Sequence, residues 1–350
     1  MIKTAIIIVA YNAEPYLPAL LSSLANLNYP KNSFGVFVID NNSSDQTLPK
    51  LRDWQKIAND FNLEVIASEK NLGFAAGNNL GIKLALKAGY DYIVLLNQDM
   101  RLDREWLKEL TAAADRQPTA GAVQAMMLLE KQPDLINTSG DRLNYLGIGY
   151  CGNYRLPLAN WQTKNNLISY ASGAAVLFRA EALERVGLFD ESFFMYHEDS
   201  DLSWRLRLFA YEIILADKAI CYHDYSFIKN KKVYYWTEKN RLAFLLKNFS
   251  AKTLILIFPM LVVMELGMCA YALASGWFWE KIKAYGWVVK NLKQLAVKRQ
   301  TLQSARAVGD HQLKKYLTAA IEFPEVNNPI LKYAANPMLK LYWFLIAWLI

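Results

Sequence analysis

The chain predicts an α/β protein: a parallel, doubly wound sheet over its first half, followed by a helical C-terminal region that meets a membrane. Two observations predict the sheet. Up to about residue 130 short β-branched runs alternate with apolar residues at helical spacing, and each run ends in a polar cluster. A third observation predicts the membrane region, because Thr253 to Trp279 holds one charge only, Glu265. At 350 residues the chain exceeds the roughly 100–200 of a single domain, and the break is placed at residue 250.

The elements follow in order. Lys3 to Ala10 is a β-branched run suited to a buried parallel strand, and Leu17 to Leu27 reads as helix around Pro18. Phe34 to Asp40 is a second strand, Thr47 to Phe61 a helix, and Leu63 to Ser68 a third strand. Gly77 to Ala88 reads as helix and Tyr92 to Asn97 as a fourth strand. Repeated strand and helix give parallel pairing, and such sheets bind ligands at the carboxyl ends of their strands.

Those ends carry Ala10-Tyr11-Asn12, then Asp40-Asn41-Asn42-Ser43-Ser44-Asp45, then Asn71-Leu72-Gly73 running to Gly77-Asn78-Asn79, then Asn97-Gln98-Asp99. Tyr11 offers an aromatic face and Asn12 an amide. Asp40 can accept from a base N–H or a ribose hydroxyl, while Gly73 and Gly77 permit close backbone approach. Asn, Ser, Asp and Gly also favour turns and helix caps, so each cluster alone has a purely local explanation. Further on, Phe193 to Leu202 ends an aromatic run in Glu198, Asp199 and Asp201, with Asp201 spaced i,i+4 from Arg205. A charged helix start accounts for Asp201 and leaves Glu198 and Asp199 unexplained. His223 follows an apolar strand, where a structural role is the simple reading.

Composition narrows the class. Hydrophobic residues make up 53% and charged residues 20%, which excludes a disordered chain. Cys151, Cys221 and Cys269 are odd in number and lack CxxC spacing, so a disulfide framework or thiolate zinc site is not expected, and a reducing compartment fits. The net charge of +7 is local: residues 281–316 hold nine basic residues and one acid, a net +8, leaving −1 elsewhere. A basic segment after an apolar stretch points to anionic lipid and not to nucleic acid. The N-terminal apolar run is too short for a secretory signal.

The ordered set VAYN, VIDNNSSDQT, NLGFAAGNN, LLNQD and SGAAVLFRAEALERVGLFDESFFMYHEDSDLSWR resembles the family 2 glycosyltransferases of the GT-A fold, within them a rhamnosyltransferase-like branch. The resemblance covers roughly Lys3 to Ser250. It implies a nucleotide-sugar half over residues 1–100, an acceptor half over 101–250, and inverting transfer of rhamnose or a similar hexose. The donor would be a dTDP- or UDP-linked sugar. The acceptor would be a lipid-linked or cell-surface glycan. It further implies Asp199 as catalytic base and Glu198 as the acid that positions the acceptor. Asp99 and His223 become ligands to a divalent cation, Mn or Mg, that neutralises the leaving diphosphate. LLNQD departs from the family's DxD pattern by carrying Asn97 at its first position. Tyr11, Asn12, Asp40, Asn71, Gly73, Asn78, Asn97, Gly173, Asp201 and Arg241 complete the expected substrate contacts, Arg241 from a helix over Lys232 to Asn248.

Nucleotide sugars are cytosolic, which puts residues 1–250 and the basic segment on the cytosolic face of the membrane. One span cannot leave both flanks on one side. Pro259 is expected to break the helix and Glu265 is costly in a bilayer, so residues 253–279 are read as re-entrant or in-plane, with Met338 to Ile350 as a second, interfacial piece. A homo-oligomer is compatible with this reading. The competing function is a silent paralogue that binds a nucleotide sugar or scaffolds a synthesis complex. A nucleotidyltransferase is disfavoured by the lack of a Gly-rich basic loop near the N-terminus.

Overall fold

The computed structural model describes residues 3–57, 61–163, 167–226, 230–326 and 328–350. The first half alternates as expected: β1 (Thr4–Ala10), α1 (Leu17–Ala25), β2 (Phe34–Asp40), α2 (Thr47–Ile57), β3 (Asn62–Ala67), α3 (Gly73–Lys87) and β4 (Tyr92–Leu96). Of the helix read to Phe61, residues 58–60 lie outside the described residues. There follow β5 (Met100–Leu102), α4 (Trp106–Arg116), β6 (Ala120–Leu129), β7 (Gln132–Thr138), β8 (Arg142–Asn144) and β9 (Gly149–Tyr150). Next come β10 (Ala175–Arg179), α5 (Ala180–Val186), α6 (Glu198–Leu208) and β11 (Glu212–His223). The C-terminal part holds α7 (Lys231–Asn248), α8 (Ala251–Ala274), α9 (Phe278–Lys290), α10 (Leu292–Ala305), α11 (Asp310–Leu313), β12 (Leu317–Thr318) and α12 (Asn336–Ile346).

The main sheet runs β3-β2-β1-β4-β10-β6-β11-β5, with β7 on β6. β1, β2, β3 and β4 pair in parallel; β1, β2 and β4 are buried on both faces, as β-branched runs dictate, while the edge strand β3 buries one face only. The sheet is mixed and not purely parallel as the sequence suggested. β10 returns antiparallel between β4 and β6, a pairing between strands some 80 residues apart that local pattern does not encode. Because β10 reverses direction twice over, β4, β6 and β11 point the same way and end at one edge, where β10 begins.

α3 starts at Gly73, four residues before the expected Gly77. Asn71 Oδ1 accepts the Gly73 N–H at 2.8 Å and Asn41 Oδ1 accepts the Leu72 N–H at 2.8 Å, so side chains satisfy the helix start that the sequence pattern hid. α8 is continuous through Pro259, contrary to the expected break. Thr253, Ile257 and Met260 are buried on either side of the proline, and this packing holds the helix while Pro259 itself faces outward. α7, α8, α10 and α12 share one apolar core with Leu143, Tyr145, Phe193 and Trp204.

Candidate active site

The site is the carboxyl edge of the main sheet. β1 delivers Tyr11, exposed, and Asn12, whose Oδ1 accepts the Ser44 N–H at 2.9 Å. Gln98 Oε1 accepts the Tyr11 N–H at 2.7 Å and its amide returns to Tyr11 O, so the residue before Asp99 fixes the aromatic face. β2 ends in Asp40, almost wholly buried. Its Oδ2 accepts from the Ser43 N–H at 3.3 Å and its Oδ1 has no partner among the described residues. A buried carboxylate oxygen in this state costs free energy until a donor arrives, such as a base or ribose group. Asn41 beside it donates to Asn71 Oδ1 and Gly73 O, organising the next loop. Gly73 has φ +76°, and a Cβ there would lie 2.4 Å from the Phe194 ring, so only glycine lets the two loops meet.

Asp99 and His223 come together through backbone register. β5 and β11 pair antiparallel with His223 opposite Met100, which brings His223 Nε2 to 3.4 Å from Asp99 Oδ1. His223 Nδ1 is 2.9 Å from Asn137 Oδ1. With Nδ1 donating to Asn137, the Nε2 lone pair faces Asp99 Oδ1, which is itself buried without a hydrogen-bond donor. Two acceptors facing each other are the donor set of a cation, and a neighbour holding the other imidazole nitrogen is how metal-binding histidines are oriented. No third Asp, Glu, His or Cys joins them among the described residues, so remaining ligands must come from a substrate such as a diphosphate.

Asn97 donates its N–H to Ala174 O at 2.8 Å, which seats the start of β10 beside LLNQD. There the Gly173 N–H donates to Asp199 Oδ2 at 3.2 Å, and the Ser200 N–H donates to Asp199 Oδ1 at 2.7 Å. Burial pushes the Asp199 carboxyl up to about 6 against these two bonds, yet the residue is only half-buried and reachable. Glu198 is fully buried behind it, with Oε2 unpartnered. Burial, and then the Asp199 charge, push its carboxyl well above the usual range. Asp141, which the sequence gave no reason to single out, is buried nearby. Its carboxyl is pushed up to about 7 by burial, with the Asp199 charge adding.

The segment that presents Asp199 is strained. Phe194, Tyr196 and His197 have φ of 66°, 68° and 65°, a left-handed conformation that bulky residues adopt only when held. Asn240 of α7 holds it. Its Nδ2 donates to Phe193 O at 2.9 Å, Met195 O at 2.9 Å and Tyr196 O at 2.7 Å, while Trp236 stacks on Phe194 at 4.7 Å.

Three expected substrate contacts lie off this edge. Asn78 is buried within α3 and donates to Phe74 O at 2.9 Å. Asp201 is fully buried and ion-paired to Arg205 at 3.0 Å and Lys247 at 2.7 Å. Arg241 is buried between Glu238 and Glu265, and also donates to Leu146 O at 3.2 Å. Asn78 is satisfied one turn back within α3, and the charges of Asp201 and Arg241 are met by protein partners that lie up to 46 residues away along the chain, so the three positions carried over from the resemblance are held within the protein.

A parallel half extended by antiparallel strands, with its polar groups at one sheet edge, is the GT-A fold. The glycosyl transferase family 2 model matches residues 5–187, and the chain belongs to that family. It is 28% identical over 216 residues to a poly-β-1,6-N-acetyl-D-glucosamine synthase of Staphylococcus epidermidis, covering 62% of this chain and 48% of the synthase. It is 26% identical over 209 residues to a low-salt glycan biosynthesis hexosyltransferase of Haloferax volcanii, covering 58% and 61%. The chain thus spans about half the length of the curated relatives it matches. Among solved structures, a Pyrobaculum calidifontis mannosyltransferase in complex with GDP-mannose and Mn2+ shares the fold at TM-score 0.54 and 15% identity, over 99% of this chain and 87% of that one. Residues 1–349 of a Staphylococcus aureus protein, TarS, in complex with UDP-GlcNAc, do so at TM-score 0.53 and 20% identity, over 97% and 89%.

Proposed function

We propose that the chain is an inverting glycosyltransferase that moves a hexose from a nucleoside diphosphate sugar to a lipid-linked or cell-surface glycan, at the cytosolic face of a membrane. Residues 1–250 carry the chemistry and 251–350 the attachment. One observation carries the reading: a single sheet edge brings together the unpartnered oxygens of Asp40 and Asp99, the His223 lone pair, and a reachable carboxyl at Asp199.

In this reading Asp40 and Tyr11 hold the nucleoside, while Asp99 and His223 hold a divalent cation together with the diphosphate. Such a cation supplies charge stabilisation for the leaving group. Asp199 takes the proton of the acceptor hydroxyl as its oxygen bonds to the anomeric carbon on the face opposite the diphosphate. The bond to the diphosphate breaks, and the electron pair leaves with it. Glu198, whose carboxyl burial and the Asp199 charge hold well above the usual range, stands beside it as the acid that positions the acceptor.

Two Staphylococcus relatives are named for N-acetylglucosamine, so UDP-GlcNAc heads the donor screen, with GDP-mannose and dTDP-rhamnose beside it. The test is release of nucleoside diphosphate by the purified chain with and without Mn2+. Metal-dependent release from one donor is expected. Binding of diphosphate with no release from any donor, with or without a glycan acceptor, would leave a silent nucleotide-sugar-binding protein instead.

A further inference from the structure

We infer that α8, α9 and α12 form a flat bilayer-docking surface, and that α8, though long enough to span a membrane, lies in its plane. This deepens the membrane attachment proposed above and does not depend on the transfer chemistry. At 24 residues α8 is about 36 Å long, enough to cross a hydrocarbon core of roughly 30 Å. Its two sides are nevertheless different. Thr253, Ile257, Met260 and Ala272 are buried, at the spacing of one helical stripe running the length of the element. Ile255, Phe258, Val262, Leu266 and Leu273 form the opposite stripe, each 40–72% exposed.

The buried stripe is bolted to the protein. Glu265 ion-pairs with Arg241 of α7 and with Lys281 of α9 at 2.7 Å, and accepts from the Tyr285 hydroxyl at 2.5 Å. Burial alone would raise its carboxyl, but the Arg241 and Lys281 charges outweigh burial and hold it at about 2. At one end Thr253 Oγ1 donates to Asp310 at 2.6 Å, and Leu256 O accepts from Tyr342 of α12 at 2.7 Å. A helix held along its whole length against a water-soluble core cannot cross a bilayer without carrying that core into lipid. The acid that looked costly for a membrane segment is therefore the anchor that keeps α8 on the protein.

Neighbouring helices repeat the pattern. α9 buries Lys281, Ala284 and Val288 and exposes Trp279, Ile282 and Val289; α12 buries Leu339 and Ile346 and exposes Leu341, Phe344 and Leu345, with Trp348 exposed just after it. Of 21 exposed large hydrophobic residues among the described residues, 19 lie in 251–350, so the apolar surface is confined to this region. Its charge selects the occupant. Residues 251–350 contain twelve basic and five acidic residues, which is the entire net +7 of the chain. Lys283, Lys290, Lys332 and Lys340 are exposed next to the apolar stripes. Apolar stripes rimmed by Trp, Tyr and Lys match a headgroup boundary carrying anionic lipid.

The experiment is flotation of the full chain with vesicles of phosphatidylcholine containing about 25% phosphatidylglycerol. Wild type should float, and a salt step to about 0.5 M should release only part of it, since screening leaves apolar burial intact. Phe258→Glu with Leu266→Glu on α8, and separately Leu341→Glu with Phe344→Glu on α12, should each reduce vesicle binding roughly tenfold or more, with thermal melting close to wild type because all four side chains are exposed. Gln294→Cys on chain added to preformed vesicles should stay fully reactive to an impermeant thiol reagent. Failure to float, flotation indifferent to both pairs, or protection of Cys at 294 overturns the inference. So does a lipid-free dimer that the same substitutions dissociate, which would assign the face to a second copy. Sugar release is scored separately: a chain that transfers sugar and does not float refutes only this inference, and one that floats without transfer refutes only the proposed function.

Discussion

The carboxyl edge of the main sheet and the α8–α12 surface are incomplete in opposite ways. At the edge, polar atoms are buried without partners: Asp40 Oδ1, Asp99 Oδ1 and Glu198 Oε2. Over α8–α12, apolar side chains are exposed without cover. The first costs about 1–3 kcal/mol per orphaned group, and the second forgoes about 1.5–3 kcal/mol per large side chain left in water. Neither deficit is met among the described residues, and the difference in kind says what would meet each one: hydrogen-bond donors and a cation at the edge, an apolar phase at the helices. The two regions are joined by adjacent residues of α7, with Asn240 gripping the strained segment before Asp199 and Arg241 gripping Glu265 of α8.

The largest effect is expected at the base. Asp199→Asn keeps the shape and loses the proton acceptor, so kcat should fall roughly 100-fold or more, while UDP affinity stays within about twofold. Near wild-type release of UDP by this variant would break the assignment of the edge as catalytic and leave it a binding surface only.

Next come the metal candidates. Asp99→Ala and His223→Ala should each weaken Mn2+-dependent UDP binding about tenfold or more, because each removes one of only two protein ligands. Titration of UDP with and without Mn2+ decides it. If metal dependence is the same in both variants as in wild type, the facing pair is a structural contact.

How much of this was legible differs between the two regions for a physical reason. Strand ends are local: a β-branched run followed by Asp40 or Asp99 announces both the strand and the group it delivers, so Tyr11, Asp40 and Asp99 could be placed at strand ends from sequence, whereas Asp199, at the start of α6, was singled out as a base only through resemblance. His223 was reachable only through resemblance, because its partner is set by the pairing of β5 with β11, strands more than 100 residues apart. Buried ion pairs are equally non-local. Asp201, Arg241 and Glu265 read as surface, substrate or membrane-facing charges because helix packing brings Lys247 to Asp201, and Arg241 and Lys281 to Glu265, while only Glu238 meets Arg241 within its own helix. Asn240 lay in a segment already noticed, but its grip on three carbonyls depends on a left-handed loop that no propensity favours. On the other side, the apolar composition of α8 was plain, whereas which of its faces is docked was not.

A smaller effect should come from that grip. Asn240→Ser removes the amide shared by three carbonyls, so the loop before Asp199 should relax and kcat fall roughly tenfold, with the donor KM near wild type. Hydrogen exchange at Ala75, whose N–H donates to Phe194 O at 3.0 Å, reports the same loosening without any substrate. A merely structural asparagine would lower melting temperature and leave kcat of the folded fraction unchanged. That result would separate the two regions that α7 is argued to join.

The smallest effect is in pH, and it tests whether burial at the edge sets the chemistry. Burial raises the Asp199 carboxyl to about 6, opposed by the amides of Gly173 and Ser200. A base must be ionised to work, so turnover should be full at pH 8, about half-maximal near pH 6, and lost progressively below. An ordinary exposed aspartate would keep turnover nearly constant down to about pH 5 and half-maximal near pH 4. The Asp199 charge reaches both Asp141 and Glu198, whose own carboxyls are raised by burial. Asp141→Asn removes the charge that Asp141 gains above about pH 7 and should therefore shift the acid limb only slightly, toward lower pH, because less repulsion then opposes ionisation of Asp199. The check is kcat for released nucleoside diphosphate across about pH 3.5 to 8 in both proteins at fixed Mn2+. An acid limb already at pH 4 in wild type would mean that Asp199 is as well solvated as a surface acid, and that the edge differs from the α8–α12 surface in composition but not in burial.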